Sequence, residues 1–432
     1  MPDTVALYTL GCKLNFSETS TIGNQFIERG FRIVDFKEKA DIYILNTCTV
    51  TDNADKECRQ YVRKALRLNP DAFIIVMGCY AQLRSVEIAN ILGVDVVLGS
   101  NDKFKLFSLV EDFKKKDHAC IFVSPTEDIN DFGPAHSTDA DSRTRAFFKL
   151  QDGCDYKCSY CTIPMARGRS RSMEFDKAIA DFKQLVDSGY KEIVLTGVNI
   201  GDYTCGNKDF YHLLKEFVQI PGEFRIRISS IEPNLLTDDI IELASNSDKL
   251  CKHFHIPLQS GSPKILKLMQ RRYKVSDYDS LINKIKNKIP ECCIGVDVIV
   301  GFPGEEDSDF VDTYNFLRDL PISYLHVFTY SERPNTKAIE MEGIVEKYER
   351  RKRNNLLTNL SHRKRNLFYS EMNNKVLNIL FEAENHNKII KGFSSNYVRT
   401  GIPFSESLVN SFASVKIESI VDNYCTGNIV DI

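Results

Sequence analysis

The sequence has no apolar run approaching the ~18 residues of a membrane-spanning helix. Its start, MPDTVALYTLGC, lacks the basic stretch and small-residue cleavage site of a secretory leader. A cytoplasmic chain with no membrane partner is therefore expected. The sequence also lacks an excess of either charge, since 56 Lys and Arg against 59 Asp and Glu leave a net charge of −3. Whole-chain charge gives no sign of nucleic-acid binding, so any basic surface must be local. Internal repeats and low-complexity tracts are absent. With 43% hydrophobic and 27% charged residues, the chain is neither disordered nor fibrous. What it has is length and cysteine. Its 432 residues exceed one core and allow two or three domains. Thirteen Cys in a reducing compartment point to metal or redox chemistry rather than to disulfides.

Residues 4–123 alternate apolar runs with helix-spaced stretches. The runs are VALYTL (5–10), IYILN (42–46), FIIVMG (73–78), VDVVLG (94–99) and CIFV (120–123). This pattern predicts an α/β domain over 1–124, built on a doubly wound parallel sheet. Residues 125–142 hold five acids, no Lys or Arg and two Pro, and read as an exposed acidic linker. Over 143–346, six strand candidates (AFFKLQ, EIVLTG, FRIRISS, HFHIPLQ, IGVDVIVG, YLHVFTY) alternate with helices. They predict a partial βα barrel with its site at the C-terminal strand ends. A basic helical connector follows at 347–369. The short β runs of 370–432 then predict a small β-barrel.

Cys154, Cys158 and Cys161 lie in DGCDYKCSYCTIP, directly after the first barrel strand. A zinc site usually takes four protein ligands, and no fourth Cys or His lies nearby. An iron–sulfur cluster on three Cys, leaving one iron open, is the alternative. A second set is dispersed: Cys12, Cys48 and Cys79 each follow an apolar strand of the first domain. A parallel sheet places those strand ends along one edge, so the three thiols converge. A second cluster, a zinc site or three structural thiols all remain open for them. Cys58, Cys120, Cys251, Cys292, Cys293 and Cys425 read as small core hydrophobes. Cys205 follows TGVNIGDYT without an assigned role.

The Cys-x-x-x-Cys-x-x-Cys loop resembles that of the radical S-adenosylmethionine superfamily. Together the two cysteine sets resemble the radical methylthiotransferases. TLGCKLNFSE (9–18), NTCTVT (46–51) and GCYAQ (78–82) resemble that family's N-terminal domain. KLQDGCDYKCSYCTIPMARGRSRS, TGVNIGDY, RISSIEP, HIPLQSGS, MQRRY, DVIVGFPGE and FTYSERPNT resemble its barrel, and the final β segment its RNA-binding TRAM domain. The resemblance implies two 4Fe–4S clusters, one on Cys154, Cys158 and Cys161 and one on Cys12, Cys48 and Cys79. It also implies S-adenosylmethionine as methyl donor and radical source. Tyr160 matches the aromatic against the cofactor's adenine. Gly197 and Asn199 stand where many relatives have a Gly-Gly-Glu contact to the methionine amine. Ser230, Glu232, Gln259 and Ser260 are expected to reach the cofactor. Arg271 and Arg272 are expected on its carboxylate or on substrate phosphate.

Charge is uneven along the chain. Residues 347–366 carry eight Lys or Arg against one acid, and residues 143–171 carry seven against two. Two basic runs flanking the barrel, one leading into a TRAM-like segment, point to an RNA backbone. The expected partners are tRNA, bound through its anticodon loop, and an external electron donor, with the chain acting as a monomer. Gly11-Cys12-Lys13-Leu14-Asn15 with Glu18 resembles the branch acting on N6-threonylcarbamoyladenosine at tRNA position 37. The alternatives are the branches acting on isopentenyladenosine or on a ribosomal-protein aspartate, and a non-catalytic iron–sulfur RNA-binding protein.

Overall fold

The computed structural model describes residues 3–430 apart from 49–51, 130, 134, 137–143 and 387. The end of NTCTVT, the acids at 139 and 141, the basic residue at 143 and the last two residues lie outside the described residues.

Six strands form the first sheet: β1 (Thr4–Thr9), β2 (Arg32–Val34), β3 (Ile42–Thr47), β4 (Phe73–Gly78), β5 (Val96–Leu98) and β6 (Cys120–Phe122). Their order is β2-β1-β3-β4-β5-β6, with every pair parallel. β3 and β4 are buried along their whole length, which fits the unbroken apolar runs 42–45 and 73–77 in place of an alternating pattern. Ile22 and Phe26 of the first helix (Lys13–Ile27) cover one face, and Val62 and Ala65 of Asp52–Leu68 cover the other. The sheet is therefore doubly wound, and its order reverses between β1 and β3. The edge strand β2 was not expected. Its three residues are largely exposed and carry no apolar run.

The second unit has β7 (Arg145–Lys149), β8 (Glu192–Thr196), β9 (Arg225–Ile228), β10 (His253–His255), β11 (Cys293–Val300) and β12 (Tyr324–Thr329). Two parallel three-stranded sheets, β9-β8-β7 and β10-β11-β12, are joined by the parallel bridges Ile226↔Leu250 and Ser230↔His255. Among the described residues no pairing joins β7 to β12, so the barrel is partial. The expected linker is not free along its described part. Ile129 and Ala135 are buried, Phe132 packs on the barrel core, and His136 bridges to Phe148 of β7. The apolar residues between its acids hold it against the barrel.

The helix Lys347–Ser370 then leads to a closed barrel of β13 (Val376–His386), β14 (Ile389–Ser394), β15 (Arg399–Pro403), β16 (Phe412–Val421) and β17 (Tyr424–Ile429). This barrel sits beneath the N-terminal ends of the larger barrel's strands. There Arg225 donates to Phe393 O at 2.9 Å, and Arg227 donates to Ser394 O and Ser395 O at 3.2 and 3.3 Å.

Much of both basic runs is internal, which corrects their reading as RNA-facing surface. Arg350 donates to Val345 O, Tyr330 O and Glu332, and Arg353 pairs with Glu305 and Asp307 at 2.6 and 2.7 Å. Gly301 (φ +74) allows this seat, because a Cβ there would lie 2.2 Å from Arg350 Cγ. Lys364 donates to the carbonyls of Arg318 and Leu320. In the other run, Arg145 pairs with Glu192 and Glu382, and Lys149 and Arg167 are buried. Arg351, Lys352 and Arg363 on the helix, with Lys157 and Arg169, remain exposed. No helix among the described residues is long and apolar enough to cross a membrane.

Candidate active site

The dispersed cysteines meet because the strand registers align. Thr9 lies opposite Asn46 and Thr47 opposite Gly78, so the turns after β1, β3 and β4 lie side by side at the reversal of strand order. Gly11 and Gly78, each directly before a cysteine, both take φ +102. A Cβ on Gly11 would fall 2.3 Å from Cys48 Cβ, which measures how closely these turns pack. Cys12 caps the first helix, and Cys79 opens the helix Cys79–Leu83.

Behind them lies a buried ionic network spanning two domains. Glu18 of the first helix accepts from Arg167 at 2.9 and 3.1 Å, from Lys149 at 3.0 Å and from Lys103. Asp152 accepts from Arg167 at 3.0 Å and Lys149 at 2.7 Å. Arg167 also donates to Asn15 Oδ1 at 2.7 Å and to Cys79 Sγ at 3.2 Å. Burial opposes the charged form of both carboxylates. The surrounding cations outweigh it and hold Glu18 and Asp152 well below the ordinary carboxylate range. Burial raises the Cys12 thiol, with Arg167 opposing.

The second trio lies on the loop after β7. Gly153 (φ +72) turns that loop, where a Cβ would fall 1.9 Å from Arg169 O. Cys154 N donates to Gly168 O, and Cys161 N donates to Cys158 O, both at 3.1 Å. Burial pushes Cys154 up to about 11 and Cys161 to about 12. Arg271 donates to Cys158 Sγ at 3.1 Å and pairs with Glu232, whose carboxyl is raised by burial. One sulfur of each trio thus accepts from a buried arginine. Among the described residues no three Cys, His, Asp or Glu are arranged to hold a single metal ion. Around a four-iron cluster each thiolate takes a different iron, so three thiols that do not meet on a single ion can still fit one.

The other expected residues divide. Gln151, which sequence reasoning did not single out, donates to Asp152 O and Gly153 O and accepts from Asn199 N at 2.8 Å. It thereby ties the cysteine loop to the turn at Gly197, whose Cα carries no Cβ to press on Gln151. Asn199 is buried, and neither atom of its carboxamide makes a full hydrogen bond. Gln259 (φ +70) buries its side-chain oxygen without a partner. Ser230 bridges to His255 at the joint between the two sheets. These open polar atoms past the strand ends fit the amino-acid part of S-adenosylmethionine. Tyr160 packs edge-on to Phe302 in an apolar pocket with Ile265, Met269 and Tyr330. Ser260 is engaged elsewhere, with its hydroxyl 3.2 Å from that of Thr313. Arg272 lies over the Tyr156 ring at 3.8 Å.

The barrel interior is polar. His255 lies 2.7 Å from Asp297 and stacks on His326 with ring centroids 5.2 Å apart. Lys13, at the start of the first helix, has its pKa lowered by desolvation, with Arg227 and Arg145 adding to the effect. Charged residues at alternate positions of otherwise apolar strands, as in Arg225-Ile226-Arg227 and His253-Phe254-His255, were the available signal.

Comparison with known proteins follows this geometry. Residues 148–317 match the family model described as the Radical SAM superfamily, and residues 4–99 match Uncharacterized protein family UPF0004. Threonylcarbamoyladenosine tRNA methylthiotransferase MtaB of Bacillus subtilis (strain 168) is 40% identical over 421 residues, covering 96% of this chain and 93% of that protein. tRNA-2-methylthio-N(6)-dimethylallyladenosine synthase of Clostridium tetani is 35% identical, covering 89% and 86%. Among solved structures, the radical S-adenosylmethionine methyltransferase TsrM from Kitasatospora setae gives a TM-score of 0.58 at 15% identity. It covers 78% of this chain and 77% of that chain, a likeness of fold alone. The chain belongs to the radical S-adenosylmethionine methylthiotransferase family.

Proposed function

We propose that this chain is a tRNA methylthiotransferase that converts N6-threonylcarbamoyladenosine, beside the anticodon at position 37, to its 2-methylthio derivative. Cys154, Cys158 and Cys161 hold one 4Fe–4S cluster and Cys12, Cys48 and Cys79 a second, with S-adenosylmethionine bound between Asn199, Gln259 and Glu232. When bound, these groups supply the adenosyl radical, the sulfur and the methyl group.

The observation that carries this reading is the continuous chain of contacts between the trios. Cys79 Sγ accepts from Arg167, Arg167 pairs with Asp152, and Asp152 accepts from the N–H of Gly153 at 2.8 Å, next to Cys154. That chain of contacts links the two cysteine trios across the domain boundary. Arg167 and Arg271 each donate to one sulfur, Cys79 Sγ on one side and Cys158 Sγ on the other. The turn at Gly197 and the buried Asn199 orient the cofactor, and the enclosing domains exclude water from a reactive intermediate. The sequence Gly11-Cys12-Lys13-Leu14-Asn15 and the 40% identical relative both favour the threonylcarbamoyl substrate over the dimethylallyl one.

Nucleoside mass spectrometry after anaerobic turnover tests this. Reconstituted enzyme, S-adenosylmethionine and reductant are given tRNA bearing either N6-threonylcarbamoyladenosine or N6-isopentenyladenosine. A methylthio mass gain on the first is expected. A gain confined to the second, or none on either, overturns the substrate assignment.

A further inference from the structure

A cavity of about 220 Å³ lies where the N-terminal ends of β11 and β12, the long helix and the small barrel meet. Two arginines line it, Arg365 from the helix and Arg399 from β15, and among the described residues no carboxylate does. Arg350 and Arg353 of the same helix meet carboxylates. The guanidinium groups of Arg365 and Arg399 make no ion pair or hydrogen bond with a described residue; they lie over the rings of Tyr324 and Phe393, at 5.6 and 5.9 Å. Arg399 Nε is buried without a partner. Two open cations in a cavity without a carboxylate make a place for an anion. Much of the wall is aromatic. Phe393 and Tyr397 stack with centroids 4.8 Å apart, and Tyr397 stacks on His253 at 4.4 Å. Tyr397 holds φ +63, a left-handed conformation that is costly for a bulky residue and persists only where its surroundings fix it.

We infer that this cavity binds one nucleotide of the RNA substrate other than the one modified, with its phosphate on Arg365 and Arg399 and its base against Phe393 and Tyr397. This rests on the tRNA reading above and adds a second point of attachment. Open cations beside stacked rings suit a nucleotide in particular. An inorganic anion has no use for the rings, and an apolar ligand leaves both cations unmet. The position fits as well. His326 lines the cavity and stacks on His255 in the barrel interior. From Tyr324 at the cavity, β12 runs to Thr329 at the C-terminal end, about 17 Å by the rise of a strand. His326 and Phe328 on this strand are exposed and mark a path along it. Stacked nucleotides advance by ~3.4 Å each, so a few residues of a single-stranded loop span that distance.

The test uses full-length reconstituted protein and an anticodon stem–loop RNA carrying N6-threonylcarbamoyladenosine. In one series each loop phosphate in turn is replaced by a neutral methylphosphonate. In another each loop base except the modified one is removed. With wild type, one phosphate and the base beside it should each lower affinity about tenfold when altered, the effect of losing one stacked base. In the double variant Arg365→Gln, Arg399→Gln that phosphate replacement should have no further effect, whereas the double variant Arg365→Lys, Arg399→Lys should still respond to it. In Phe393→Ala the base removal should have no further effect. Iron content and unfolding midpoint show that each variant is intact. Losses that match between wild type and the variants at every position overturn the inference. So does coupling of these residues to free adenosine monophosphate with none to the RNA. If wild type methylthiolates the stem–loop while no position couples, only the cavity's role fails. If it neither binds nor modifies that RNA, the substrate reading fails with it.

Discussion

Arg167 of the barrel domain donates from Nε to Sγ of Cys79 in the first domain at 3.2 Å. The guanidinium is buried, and its other donors are taken by Glu18, Asp152 and Asn15. One side chain therefore joins the domains and sets the electrostatics of a cysteine trio.

Removing it should do two things at once. Arg167→Met leaves Glu18 and Asp152 buried among fewer cations, a cost of about 3–5 kcal/mol. Calorimetry should show a lower unfolding midpoint, and iron analysis should show loss from the first-domain trio. Arg167→Lys, with no planar fork, should recover little of either.

The same network predicts an acid limb. Glu18 and Asp152 have folded-state pKa values below their unfolded ones, so their contribution is complete above the ordinary carboxylate value near ~4 and is lost as pH falls through and below it. Glu18→Gln should lower the unfolding midpoint at neutral pH. The gap from wild type should narrow below about pH 4. A gap that stays constant with pH would argue against the network.

The two trios are separable by substitution. Cys158→Ala should abolish 5′-deoxyadenosine formation. Cys48→Ala should retain it, stop methylthio insertion, and lower iron from about eight to about four atoms per chain. Gly11→Ala should act as Cys48→Ala does, because its Cβ would collide with Cys48 at a φ of +102. Chromatography of the reaction products and iron analysis distinguish these outcomes.

The long helix should divide by face. Arg353→Ala strands the buried carboxylate of Glu305 and should cost about 3–5 kcal/mol of stability without a specific effect on RNA. Arg351→Ala and Arg363→Ala, on the exposed face, should leave stability unchanged. Each should weaken tRNA binding and reduce the salt slope of log K by about 0.9 per lost phosphate contact. Binding measured across a salt series checks this.

The strand plan was legible because buried parallel strands are long and apolar, and the trios because their cysteines follow those strands. What sequence could not show is which member of a charge run faces inward. Arg350 and Arg351 are neighbours, but only Arg350 meets the carbonyls of Val345 and Tyr330. The network around Glu18 was equally hidden, since its partners lie 85, 131 and 149 residues away in the chain. Ser260 shows the converse, a polar residue at a strand end whose hydroxyl serves the neighbouring helix instead.

The small barrel is gripped in part by its main chain. Arg225 and Arg227 hold the carbonyl oxygens of Phe393, Ser394 and Ser395 rather than their side chains. That part of the joint depends on the path of the chain, while Glu382 and Tyr397 add side-chain contacts with Arg145 and with Arg227 and His253. Substitutions at 393 to 395 can thus leave that main-chain seat in place, whereas changes at Glu382 or Tyr397 cannot go unnoticed by the larger domain.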